Sequence, residues 1–262
     1  MVPLAHEAGE MYVADLQREP AEEKPLPDPV LMEVLTALHC RACRTAREVV
    51  CLLNAGYADG AHARWRSLHE FAVTAYFLLK HRVDTPQRYL DHAVVERFRA
   101  AVQYQLHCQT LGYDPYSAEE MAELKKASDA AIAKYGAPFR EDYGWAAEAL
   151  HNPRPTFTQI EASLDMAHWR PWFRLACQSV HAGSQGLQFA LGLPHDSPGM
   201  LLAGASDAGL ADPGHQMAIS LTMVTVAFLT AHPNLDGLVA CHCMLRVCDH
   251  IGRELLRAHE PG

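Results

Sequence analysis

The sequence predicts an all-α fold, a helical bundle of six or seven helices with a long glycine-rich loop or small β-hairpin near 183–214. Three observations carry this. Apolar residues recur at helical spacing through most of the chain, and helix-start and helix-stop residues bracket those stretches. The region where both patterns fail, 183–214, holds many of the glycines. With 262 residues, 49% hydrophobic and 20% charged, the chain can bury a sizeable core.

Residues 1–29 include EPAEEKPLPDP and read as a flexible or strapping N-terminal arm, leaving 30–262 as a single helical domain. Asp28-Pro29 opens the first helix as cap and first-turn proline, and Gly56 stops it. A second helix follows Asp59-Gly60 and ends near Arg82; a third follows Asp84-Thr85-Pro86 and ends at Leu111-Gly112. Ser117-Ala118-Glu119-Glu120 is a capping box for the fourth, which runs to Tyr135-Gly136. Residues 137–168 read as irregular, with short helical pieces and the turn HNPRP at 151–155. Helices over about 168–182, 214–231 and 234–258 complete the bundle, with Asp212 as a cap and His232-Pro233-Asn234 dividing the last two.

The formal net charge of −9 disfavours a broad nucleic-acid surface but permits a small cationic site. The acidic start MVPLAHEAGE lacks a secretory pattern, and the longest apolar segment, 217–231, is too short to span a bilayer. The expectation is therefore a cytoplasmic protein with no membrane partner and its eight cysteines as thiols. Cys40 and Cys43 form a C-x-x-C inside a helical pattern, where small buried side chains are the commoner role than zinc ligands. Trp145, Trp169 and Trp172 read as core or dimer anchors.

Charged residues in apolar helices mark the candidate site. Arg66 and Glu70 are one turn apart at the start of the second helix, ahead of an almost wholly apolar run, with His69 on a neighbouring face. Asp91 and His92 form a second cluster on the third helix, where His92 and Glu96 are one turn apart. Glu70, Asp91 and His92, together with His250 of the last helix, make a metal-dependent alternative, although Glu148–His151 is the lone Glu-x-x-His and has no second copy. Otherwise no cofactor is expected.

Arg174 and His181 lie seven residues apart, almost two helical turns, and so share a face. The pair fits R-x(4–6)-H, a pattern that seventeen arginines and sixteen histidines would match about three times by chance; the sequence has three matches. Context separates them. Arg253–His259 lies at the chain's end, and Arg64–His69 overlaps the Arg66–Glu70 cluster. Arg174–His181 alone sets its histidine at a helix end opening into the glycine-rich loop.

The segments ARWRSLHEFAVTAYFL, QRYLDHAVVE, DYGWAA, WRPWFRLACQSVHAGSQGL and GLADPGHQMAISL resemble a bacterial helical family known only as a domain of unknown function, over about 30–258. The resemblance marks Arg66, Glu70, Asp91, His92, Arg174 and His181 and implies no reaction. R-x(4–6)-H is also the signature of the HEPN superfamily of compact helical ribonucleases, although the residue after the motif arginine there is usually polar and here is Leu175. That likeness implies a metal-independent endoribonuclease of bacterial stress or phage defence, acting on RNA as a homodimer. His181 would be the acid/base, Arg174 the phosphate clamp, and Arg66, Glu70, Asp91 and His92 the supporting residues. A third expectation is a non-catalytic dimeric scaffold or sensor in which the polar cluster is structural.

Overall fold

The computed structural model describes residues 1–18, 28–187, 189–193 and 200–259. Among the described residues there are nine α-helices and no strand. They are α1 Val2–Arg18, α2 Pro29–Asn54, α3 Ala58–Lys80, α4 Thr85–His107, α5 Ala118–Tyr135, α6 Phe157–Ala162, α7 Arg170–Val180, α8 Ala211–Thr230 and α9 Leu235–His259. The all-α class holds. Seven of these helices match predicted ones, the short α6 falls where short helical pieces are expected, and α1 is additional. The chain divides into two compact units, Met1–Leu79 with Met166–Gly262, and Lys80–Asp165.

The first unit is built around α8, the most apolar segment of the sequence. Its buried residues occupy most of the circumference and leave one half-buried stripe, His215, Ile219, Met223, Val226 and Thr230. Three threonines fit there because each hydroxyl donates to the carbonyl one turn back: Thr222 to Ala218 at 2.8 Å, Thr225 to Leu221 at 2.8 Å and Thr230 to Val226 at 2.7 Å. Trp65 of α3 is fully buried and donates its indole N–H to Ser220 of α8 at 2.9 Å. No described helix is long and apolar enough to cross a membrane.

Residues 2–18, expected as an arm, are helical and packed. Val2, Ala5, Gly9 and Tyr12 are buried on one face of α1. Tyr12 donates its hydroxyl to the His232 carbonyl at 2.9 Å and accepts the His232 N–H at 3.1 Å, which ties α1 to the turn between α8 and α9. The EPAEEKPLP part of the expected arm, residues 19–27, lies outside the described residues. Two expected caps also differ. Asp28 sits at φ 56° and makes no side-chain cap bond, and Asp212 lies inside the first turn of α8, where its charge meets the helix dipole. The Ser117 capping box forms, with both reciprocal bonds present.

The hairpin alternative for 183–214 does not form among the described residues, which carry turns and a short 3-10 helix, Ser184–Leu187; residues 188 and 194–199 lie outside them. The loop is pinned to α3 by Asp59, whose carboxylate accepts the Leu191 N–H at 3.0 Å. Ser206 adds a backbone bond to Gly56 at 2.9 Å.

In the second unit, α4 packs against α5 and the short turns that follow it. Trp145 is buried there, edge-on to Tyr89 with ring centroids 5.0 Å apart.

Candidate functional site

Helix α7 carries the pair that the sequence singles out. Its buried side presents Phe173 and Ala176, and Trp169 and Trp172 pack against the core of the first unit. Arg174 and His181 are both on the exposed side. The helix ends because His181 turns to an extended backbone, φ −110° and ψ 142°, while its N–H still bonds the Cys177 carbonyl at 3.0 Å. The following chain folds back: Gly183 N–H reaches the His181 carbonyl at 2.8 Å. A Cβ at Gly186 would lie 2.7 Å from the Gln178 carbonyl oxygen, so only glycine allows that approach. Among the described residues, neither the Arg174 guanidinium nor the His181 imidazole has a hydrogen-bond or ion-pair partner.

Arg66 and Glu70 pack behind α7. The two are paired at 2.9 Å on α3, and the Arg66 guanidinium carbon lies 4.8 Å from the centroid of the Phe173 ring. Arg170 lies over the same ring at 5.0 Å. His69 is fully buried between Phe173 and Trp169, with centroids 5.9 and 6.0 Å away. Burial raises the Glu70 carboxyl above its ordinary value, opposed by the Arg66 charge. These residues hold the inner face of α7, whereas Arg174 and His181 occupy the outer one.

Asp91 and His92 belong to the second unit, and their contacts there are structural. Asp91 accepts from Tyr135 at 2.5 Å, Lys134 at 2.9 Å and Gln87 at 2.7 Å. Burial pushes its carboxyl up, but these hydrogen bonds outweigh burial and hold it below the ordinary carboxylate value. His92 is buried; its Nε2–H donates to the Glu141 carbonyl at 2.9 Å, and its Nδ1 lies 3.4 Å from Glu96.

The metal-dependent alternative finds no support in these contacts. Glu70 pairs with Arg66, Asp91 and His92 are engaged as described, and His250 is exposed, 3.7 Å from Glu254. Glu148 is ion-paired with Arg88 rather than working with His151, which sits in the turn at φ 50°. Among the described residues there is no group of three or more His, Cys, Asp or Glu side chains able to hold a metal ion. Cys40 is exposed and Cys43 buried, with the Cys43 sulfur 3.7 Å from His39 Nε2.

Sequence reasoning missed Arg88, which stacks over Tyr135 at 4.6 Å while paired to Glu148. The signal was its position one turn before Asp91. It also missed His62, fully buried and stacked on Trp65 at 5.2 Å, four residues before Arg66.

The fold and site define an all-α protein with an exposed arginine on α7 and an exposed histidine at the C-cap of that helix, which a half-buried Arg66–Glu70 pair of α3 holds from behind through Phe173. The chain belongs to a family of unknown function, DUF5677, whose family model matches residues 32–199. The matched span contains Arg66, Glu70, Asp91, His92, Arg174 and His181, whereas His250 lies beyond it. No curated protein and no solved structure matches the chain.

Proposed function

We propose that the protein is a HEPN-like, metal-independent endoribonuclease, a cytoplasmic enzyme of bacterial stress or phage defence. The observation that carries this reading is the exposed, partnerless state of Arg174 on α7 and of His181 at the C-cap of the same helix, beside a loop folded against that helix. In the neutral form, His181 takes the proton of a ribose 2′-hydroxyl. The freed 2′-oxygen attacks the adjacent phosphorus, and the bond to the 5′-oxygen breaks. The products are a 2′,3′-cyclic phosphate and a 5′-hydroxyl, protonated by an imidazolium. Arg174 offers paired N–H donors to the non-bridging oxygens as charge gathers there.

The two residues are seven apart, about 10 Å along the helix axis. That separation suits a composite site in which a homodimer sets the α7 end of one copy beside that of the other, each supplying base or acid.

The test is cleavage of mixed cellular RNA in EDTA by wild type and by His181→Ala. The expected result is cleavage by wild type alone, leaving 2′,3′-cyclic phosphate ends. Absence of cleavage by wild type, with the protein folded and dimeric, refutes the proposal, and so does equal cleavage by both.

A further inference from the structure

The outer side of α2 carries Cys40, Arg44, Arg47 and Cys51, three or four residues apart and therefore in one row along the helix. With His6 of α1 and Arg64 of α3 they line an open groove of about 680 Å³, well within the size range of small-molecule sites. Its walls are mainly apolar, formed by the thiols and Leu52, and its charge is concentrated in guanidinium groups.

Those groups give the groove its sign. Three arginines face one carboxylate, Glu48, on a chain whose formal net charge is −9. Glu48 meets Arg44 at 3.3 Å and is also ion-paired with Arg64. The Arg64 hydrogen bond, with Arg44 assisting, holds the Glu48 carboxyl below its ordinary value. Arg64 is fixed further by Ser67 at 3.2 Å and by the buried Thr45 at 3.1 Å. Arg47 is exposed and has no hydrogen-bond or ion-pair partner among the described residues. Two guanidinium groups thus converge on a carboxylate already, and a third is unused, each with more donors than Glu48 can satisfy.

We propose that this groove binds an anionic amphiphile, an alkyl or acyl chain with one carboxylate or phosphate head. The head lies against Arg44, Arg47 and Arg64, and the chain runs along the thiols and Leu52. No Phe, Tyr or Trp side chain is among the lining residues, so a nucleobase has no large stacking platform there. A free fatty-acid-like chain and a membrane lipid share this chemistry.

Exposed cysteines report occupancy. Cys40 and Cys51 line the groove, whereas Cys243 is exposed on α9 and serves as a control. Iodoacetamide labelling of the full-length protein is followed at each site by mass spectrometry, with dodecanoate below its micelle concentration. Dodecanoate is expected to slow Cys40 and Cys51 about fivefold near saturation and to leave Cys243 unchanged. Arg47→Gln is expected to raise the concentration for half-protection about tenfold, through loss of one charge-assisted contact. The proposal is overturned by absence of protection, by equal slowing at Cys243, by equal protection from uncharged dodecyl maltoside, or by an unaltered Arg47→Gln response. Phosphatidylglycerol vesicles in place of dodecanoate identify the source. Protection by vesicles as well assigns a lipid head, and protection by dodecanoate alone assigns a free chain.

Discussion

Arg66 of α3 lies over the ring of Phe173 of α7, guanidinium carbon to centroid 4.8 Å, while the same guanidinium holds Glu70 at 2.9 Å. Phe173 directly precedes Arg174, so the cation–π contact fixes the helix segment from which the exposed arginine projects. A charge in an apolar helix, the feature that draws attention in the sequence, thus acts here as a strut beneath the candidate site.

Replacing the two members of that strut should have unequal effects. Arg66→Met leaves Glu70 half-buried without its partner and removes the contact to Phe173, a loss of about 1–3 kcal/mol. Glu70→Gln keeps an acceptor for Arg66 and removes a carboxylate whose charge burial disfavours. That variant should stay within about 1 kcal/mol of wild type. Urea unfolding of both proteins at neutral pH checks the order.

Acid should weaken the first unit through two buried imidazoles. Burial lowers His39 to about 4, aided by the His6 charge, and lowers His62 to about 4 against the opposing influence of Asp59 and Gln216. Both folded values lie below the ordinary 6.5. The unfolded chain therefore binds more protons between these limits. Stability is fully present above pH 6.5 and is lost as pH falls towards about 4, with a slope from the pair of roughly 2.7 kcal/mol per pH unit at its steepest. His62→Phe keeps an aromatic ring against Trp65 and should remove about half of that slope. Denaturant unfolding at pH 7.5, 5.5 and 4.5 for wild type and variant measures the difference.

Much of the helical framework was legible because its signals are local. The capping box at Ser117, the prolines at 29 and 86 and the glycine after Tyr135 all mark real boundaries. Helix α1 was not legible, because its packing depends on distant partners, Tyr12 on His232 and Gly9 on His39. Proline and charge in the segment after it dominated the local pattern. For the site, one-turn spacing disclosed the Arg66–Glu70 pair, but no spacing rule discloses that its cation covers a ring more than a hundred residues away.

The same long-range packing makes Gly9 a sensitive position. A Cβ there would lie 2.5 Å from His39 Cε1 and 2.8 Å from its Nδ1, with the Phe228 ring at 3.6 Å behind. His39 is itself held by Thr225, 3.3 Å from its Nε2. Gly9→Ala should therefore displace α1 or the imidazole and cost about 1–3 kcal/mol, although alanine is the better helix former. Tyr12→Phe, which removes both bonds to His232, should cost about 1–2 kcal/mol. Faster proteolysis within residues 2–18 of either variant would locate the damage in α1, and an unaltered melting temperature for both would contradict the packing argument.

Arg174 and His181 should behave oppositely to Arg66. Both are exposed, and neither side chain has a partner among the described residues. The cap at the end of α7 comes from the His181 backbone N–H, which an alanine retains. Arg174→Met and His181→Ala should therefore each change stability by no more than about 0.5 kcal/mol, as for surface substitutions that break no contact. If they abolish RNA cleavage at unchanged stability, the loss belongs to chemistry. Arg66→Met, by contrast, should lower activity in step with the fraction unfolded and regain it on cooling, because that arginine acts through Phe173. Thermal melts and cleavage rates measured on the same samples separate these outcomes. A stability loss above about 2 kcal/mol in His181→Ala would reassign the residue to the architecture of the helix end.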